Sequence, residues 1–495
     1  MPAPQRYILL PPLGVRLASE GIRLARRALP LEHFMAAIAR PRQLARRAVE
    51  GAAVTVLDSI HADGAKLVEM RPGDVLKLRS AQPGVRVVPE MFYRSLRAPR
   101  PQVHTVTATA ARKTVTVILR VSSRADGKPV AGADVIAFTN YEASEGGQGR
   151  TDAAGKARLR LRSTAAKIER LFVFPARGFW GALGRNLAVK AEIEIALAPI
   201  DLGEPDALRH FYGAASLAIG RAVTVGIIDT GVGDHPDLAV AGGANTVQGE
   251  KESDWRDNGA GHGTHVAGIV AGRGASGRGM RGLAPGVRLR SYRVFGKGDD
   301  GASNFSILKA LDRAVADGCD LVNMSLGGPD RDEATRSAIL DARAQGTLVI
   351  CAAGNDGRGP VNYPGAEQLA VAVSAMGRKG TFPADSTHAA EIMAPYGRDR
   401  ANFVAGFSNV GPEIDLTGPG VAIVSTVPGG YAAWDGTSMA CPAVTGAAAA
   451  LLARERRALR MVRSQARSDE MARIVYAAAA TLGFGPKFEG RGMLR

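Results

Sequence analysis

The sequence predicts an α/β protein in which a parallel sheet flanked by helices is preceded by a small α+β unit and a small β-sandwich. Three observations carry that expectation. Short, almost wholly apolar runs such as Val223-Thr-Val-Gly-Ile-Ile-Asp229 and Thr347-Leu-Val-Ile-Cys-Ala-Ala-Gly-Asn355 read as strands buried on both faces. Helix-forming stretches rich in Ala and Gly, at 261–272 and 440–452, follow the same pattern of small, buried residues. Ahead of them, residues 100–200 hold several segments of period-two alternation separated by turns. At 495 residues the chain has room for two or three domains. We place them at 1–95, 100–200 and 205–492.

The elements follow in order. Residues 7–15 are strand-like and 31–49 form an Ala- and Arg-rich helix candidate. Residues 54–60 and 65–70 are paired strand candidates, 73–80 a short helix, and 84–93 a final strand, a βαββαβ-type order. In the second unit, Thr114-Val-Thr-Val-Ile-Leu-Arg-Val and Val130-Ala-Gly-Ala-Asp-Val-Ile-Ala-Phe are strands around an Asp126-Gly-Lys-Pro turn. Gly149-Arg-Thr-Asp-Ala-Ala-Gly-Lys-Ala turns into further alternation, which returns at 187–197.

The third unit carries the chemistry. Asp229 ends an apolar strand, at the sheet edge where ligands of open α/β sheets bind. His262, in Gly261-His-Gly-Thr-His-Val-Ala-Gly, falls at a helix start. The small residues Ala267, Gly268, Ala271 and Gly272 recur at helical spacing, which suits close packing on a neighbour. Ser438, in Gly436-Thr-Ser-Met-Ala-Cys-Pro, opens an Ala-rich helix, where the dipole and free N–H groups favour developing negative charge. A serine hydroxyl needs a base, and the base needs a third group to hold its tautomer. Aspartate, histidine, serine is one of the chain orders in which such a triad is built. Asn355, a side-chain amide at a strand end after Gly354, is the candidate oxyanion donor. His262 and His265 are three apart with no Glu between them, unlike a zinc-protease pair, so His265 reads as structural and no metal is assigned.

These segments together resemble the subtilisin family of serine endopeptidases, over most of 205–490. The resemblance implies a subtilisin-like catalytic domain acting on protein or peptide substrates through an acyl-enzyme at Ser438. His262 would be general base and acid, Asp229 its orienter, and Asn355 part of the oxyanion hole. In Asn323-Met-Ser-Leu-Gly-Gly328, the resemblance implies that Ser325, Leu326 and Gly327 pair with the peptide, with Ala352 and Gly354 opposite. It also implies that residues 1–95 are similar to an inhibitory propeptide held in cis, whose end lies in the cleft until cut, the alternative being an ordinary accessory domain. The sandwich between it and the catalytic domain leaves the maturation point open, near residue 95, near 205, or with no cut at all. The turns of 100–200 look like those of carboxypeptidase-regulatory-like or prealbumin-like modules. The small residues around the first pocket, with Val361 and Asn362 at its floor, suggest apolar residues before the cut. Three features depart from the family's pattern. Asp237 stands where some members hold calcium, yet residues 273–279 supply no carboxylate or Asn, so neither calcium nor any other cofactor is expected. Residues 377–402 lengthen a loop, and Ala443 replaces a frequent histidine.

Composition bounds the partners. The net charge of +16 is spread along the chain without an aromatic-interleaved basic patch, which argues for a solvated basic surface and against nucleic-acid binding. Cys319, Cys351 and Cys441 are widely spaced and odd in number, so no disulfide framework is implied. The apolar stretch near the N-terminus is short and broken by Pro11-Pro12, unlike a Sec signal, and no stretch is long enough to span a bilayer. This leaves the compartment open, with a lean to the cytoplasm. The leading expectation is a serine endopeptidase. The alternatives are a processing protease dedicated to one partner protein and an inactive protease fold used for binding.

Overall fold

The computed structural model describes residues 3–12, 14–15, 48–49, 52–105, 114–275, 277–298 and 301–494. Among them the largest sheet has nine strands. Its parallel part runs Val240–Asn245, Arg288–Arg293, Thr224–Asp229, Leu321–Met324, Leu348–Ala352, Val371–Arg378, with Leu416–Pro419 beside the last. Antiparallel strands Asn402–Ala405 and Ile392–Tyr396 finish that edge, the latter built from the lengthened 377–402 segment. Every residue of Leu321–Met324 and Leu348–Ala352 is buried, because helices cover both faces.

On one face, helices His262–Ala271 and Thr437–Glu455 share a core with Val225, Ile227 and Ile350. On the other, Asn304–Ala316 and Glu333–Ala344 pack over Val322 and Val349. Ser303 and Asp332 cap the latter pair by accepting backbone N–H groups. The small residues of the histidine helix do permit close approach. A Cβ on Gly268 would stand 2.3 Å from Ser425 Oγ, and one on Gly446 of the facing helix 3.4 Å from Val270 Cα.

The N-terminal unit is an antiparallel sheet in the order Ala48–Val49, Ala52–Ser59, Lys66–Met70, Gln5–Leu10, Arg86–Pro89, with helix Pro72–Ala81. Three expectations change here, the first being that the strand expected at 7–15 runs over Gln5–Leu10. The helix expected at 31–49 lies outside the described residues, except Ala48–Val49, which is a strand. The single strand expected at 84–93 is two strands. Arg86–Pro89 completes the sheet, and Pro89, lacking an N–H, ends that ladder. Phe92–Ser95 then crosses to the catalytic domain, antiparallel to Leu326–Gly327 and to Ala302–Ser303. Ile8, Leu10 and Leu67 join the cluster of Phe305, Leu308 and Ile339. Around that contact Lys309 Nζ meets Asp58 Oδ2 at 2.7 Å, and Tyr93 donates its hydroxyl to Asp332 at 3.1 Å.

Residues 104–105 and 114–197 form two facing sheets. One holds Ala182–Ala188, Lys167–Phe174, Asp134–Asn140, Glu145–Arg150 and His104–Thr105; the other Lys156–Arg162, Thr114–Ser123 and Glu192–Leu197. Val117, Leu119, Val135, Leu159 and Leu171 fill the space between them. This sandwich is docked beside the cleft. Gly178 N donates to Tyr431 O and Leu183 N to Asp385 O, each at 2.7 Å, and Trp180 packs edge-on against His388. Asp385 and His388 belong to the 377–402 segment, so the extra length meets the extra domain.

Candidate active site

Asp229 is the last residue of its strand and wholly buried. His262 opens its helix after Gly261, whose φ of 74° is a left-handed conformation that glycine adopts without strain. His262 Nδ1 lies 2.7 Å from Asp229 Oδ1, which also accepts Thr230 N–H at 2.7 Å. Donation from Nδ1 to the carboxylate leaves Nε2 as the lone-pair nitrogen, the tautomer a general base requires. Nε2 is buried and has no hydrogen-bond partner.

Ser438 is the second residue of helix Thr437–Glu455 and donates its hydroxyl to Ser325 O at 3.0 Å. Pro442, four residues on, has no N–H to give the Ser438 carbonyl. Ser325 Oγ fills that vacancy at 3.1 Å, and Asn323 Nδ2 holds the Ser325 hydroxyl in turn at 2.9 Å. The helix that carries Ser438 is thereby bonded side chain to backbone with the segment expected to bind peptide.

Asn355 Oδ1 accepts both Thr437 N–H and Thr437 Oγ1–H at 2.9 Å, which fixes its amide with Nδ2 outward. That Nδ2 and Ser438 N–H converge on one carbonyl, Leu96 O, at 2.5 and 3.1 Å. The chain around Leu96 threads the cleft. Arg94 and Ser95 pair with Gly327 and Leu326, Leu96 N donates to Ser325 O at 3.1 Å, and Ala98 N donates to Asp435 O at 2.8 Å. A Cβ on Gly436 would stand 2.6 Å from Leu96 O, so glycine is what lets the backbone come this close.

The Leu96 side chain is buried, 7% exposed, with Cδ1 2.8 Å from where a Cβ on Gly327 would stand. Asn362 borders both Gly327 and Gly354. Of the residues expected to bind peptide, Ser325, Leu326 and Gly327 touch the threaded segment through backbone. Ala352 shares its buried cluster with Leu96, and Gly354 instead donates its N–H to Thr437 Oγ1 at 3.2 Å. Sequence reasoning did not find Leu96, Trp434 or Asp435. The first is an ordinary leucine more than 200 residues from its partners, and the other two sit in a stretch with no motif of their own.

His265 braces the floor. Its Nε2 lies 3.1 Å from both Ile423 O and Ala432 O, its ring stacks on Trp434 at 4.4 Å, and burial pushes its pKa down to about 3. Asp237 is occupied by protein: its Oδ2 accepts Met280 N–H at 2.7 Å and Tyr431 O–H at 2.8 Å. No group of three or more His, Cys, Asp or Glu side chains able to hold a metal occurs among the described residues. All three cysteines are buried, and burial raises the Cys319 thiol to about 12. No helix among the described residues is long and apolar enough to cross a membrane.

The subtilase family profile matches residues 220–486, a stretch that contains Asp229, His262, Asn355 and Ser438. The chain is 38% identical over 231 residues to Subtilisin Savinase of Lederbergia lenta, covering 46% of this chain and 76% of that protein. It is 39% identical over 241 residues to Subtilisin DY of Bacillus licheniformis, covering 48% of this chain and 78% of that one. It is 38% identical to an alkaline protease of Shouchella clausii, of which the match spans about half, 54%. The profile takes in more than half of the chain, and the chain belongs to the subtilase family of serine-type endopeptidases.

Proposed function

We propose that this protein cuts peptide bonds through an acyl-enzyme on Ser438, and that the first bond it cuts is its own Leu96–Arg97. The observation that carries this is the Leu96 carbonyl, held by Asn355 Nδ2 and Ser438 N–H, while Leu96 N–H donates to Ser325 O and Arg94 pairs with Gly327. Two donors on one carbonyl oxygen beside a nucleophile are what an acyl transfer needs for the charge that develops. In the reaction the Ser438 hydroxyl leaves Ser325 O and gives its proton to His262 Nε2 as Oγ bonds to the Leu96 carbonyl carbon. Asp229 holds the resulting imidazolium. Collapse breaks the bond to Arg97, and the imidazolium proton goes to the leaving amine. Water then attacks the ester with the same base, freeing the Leu96 carboxylate and Ser438.

On this reading residues 1–96 are a propeptide-like inhibitor in cis, and substrates follow the path of residues 92–96, with an apolar residue before the cut. Intact-mass analysis and N-terminal sequencing of the purified chain test it. The expected result is a new N-terminus at Arg97 in the wild type, labelling of Ser438 by a fluorophosphonate, and an uncut, unlabelled chain in Ser438→Ala. A wild-type chain that stays whole and unlabelled would end the proposal.

A further inference from the structure

Beyond Leu96 the threaded segment runs into a surface that the catalytic domain does not make alone. Arg97 lays its guanidinium over the Trp434 ring, 4.0 Å from the centroid. The other face of that ring is stacked on His265, so the indole plane is fixed before any cation arrives. Ala98 is held by the Asp435 carbonyl, and Pro99 projects outward. Arg100 then reaches the sandwich. Its guanidinium lies 4.6 Å from the Phe174 ring centroid and is ion-paired with Asp134. Asp134 and Phe174 stand directly opposite one another on paired strands, so carboxylate and ring share one face of the sheet. Phe172 stacks parallel to Phe174 at 6.1 Å and holds it upright, while Arg150 lies 3.8 Å from the other oxygen of Asp134. The 377–402 segment closes the gap between the two domains, with His388 bonded to the Asp435 carboxylate at 2.7 Å.

We infer that the β-sandwich completes the cleft on the leaving side of the cut, and that this side, built by the catalytic domain and the sandwich together, selects peptides with arginine at the first and fourth positions after the scissile bond. Trp434 takes the first, and the Asp134–Phe174 pair takes the fourth. The chemistry supports arginine at both. A planar guanidinium stacks on aromatic faces and pairs with a carboxylate at the same time, which an ammonium does less well. In this chain the occupant is its own Arg97-Ala-Pro-Arg100. In another protein it is a basic segment with the same spacing. This inference rests on the reading that Ser438 is the nucleophile.

The test uses the self-processed full chain and two peptides that differ only at the fourth residue after the cut. One is Phe-Tyr-Arg-Ser-Leu-Arg-Ala-Pro-Arg-Pro, and the other has Ala in place of that last Arg. We expect kcat/KM about fivefold to tenfold higher for the first, in keeping with a partly exposed cation–π contact and ion pair. In Asp134→Asn/Phe174→Ala the ratio should fall to near one. In Asp134→Lys a peptide with Glu at the fourth position should become the better substrate. A ratio is insensitive to a general loss of folding, which lowers both rates together. Equal rates in the wild type, or a preference that survives the double variant, overturn the inference and leave the proteolytic reading intact. Hydrolysis of neither peptide by an unlabelled enzyme sinks that reading and this inference with it. Within the chain itself, Arg100→Ala should slow the cut at Leu96–Arg97 and Arg100→Lys should recover part of the rate.

Discussion

The N-terminal unit and the β-sandwich both reach the cleft, the first through main-chain atoms and the second through side chains. Phe92–Ser95 adds a strand to Leu326–Gly327, and its Arg94 side chain points to solvent. On the sandwich side Arg100 instead meets the Phe174 ring and the Asp134 carboxylate. Strand addition is tolerant of sequence because every residue offers the same N–H and C=O, whereas a ring and a carboxylate discriminate. Leu96 stands where the two modes meet, with its carbonyl bonded as backbone and its side chain buried as an anchor.

The contrast can be broken most severely at the carbonyl itself. Asn355→Ala should slow self-cleavage by roughly 10²–10³, the loss known for removing the corresponding donor in subtilisin, a relative of this chain, and borrowed from there. A change under about threefold, followed by intact mass over time, would show that main-chain placement alone carries the reaction. Leu96→Asp comes next. It sets a carboxylate among buried apolar groups, at a cost of at least 2–3 kcal/mol by the usual price of uncompensated burial, so cleavage should fall by roughly a hundredfold.

His265 tests the wall behind Trp434. Burial holds its folded pKa at about 3, below the ordinary value, so the unfolded chain takes up the proton first. Stability therefore falls as pH drops from about 6.5 towards 3, by up to about 1.4 kcal/mol per pH unit for this one group. Calorimetry at pH 7 and pH 4 should show a shallower fall in His265→Gln, and an unchanged slope would remove the group from the account. The smallest effect belongs to the backbone mode. Arg94→Ala should leave the self-cleavage rate within about twofold, because only main-chain atoms of that residue meet Gly327.

Much of this site was legible because its signals are local. Asp229, His262 and Ser438 each follow or open an element that the residue pattern itself defines, and Asn355 ends a strand that is apolar throughout. The small-residue spacing of the histidine helix foretold its tight packing against Ser425 and against Gly446 of the facing helix. What escaped was long-range. The 84–93 segment is strand-like on both sides of Pro89-Glu90, and that pair marks a break without saying where each half goes. Nothing within it says that Arg86–Pro89 pairs with residue 7 while Phe92–Ser95 pairs with residue 326. Trp434 and the Asp134–Phe174 pair likewise gain their meaning only when the sandwich is docked. The strand at Ala48–Val49 fell inside a stretch whose Ala and Arg content favours helix, and pairing with Ala52–Ala53 overrode that preference.

The proline in the Ser438 helix has a mechanical consequence. With the Ser438 carbonyl tied to Ser325 rather than to its own fourth neighbour, the serine and the strand that pairs with Arg94 and Ser95 are fastened as one part. A tilt of the helix would have to carry that strand with it or break the bond between them. Alignment is then a property of a single joint, and loosening that joint, as Ser325→Ala would, should blur the position of the cut before it weakens the grip.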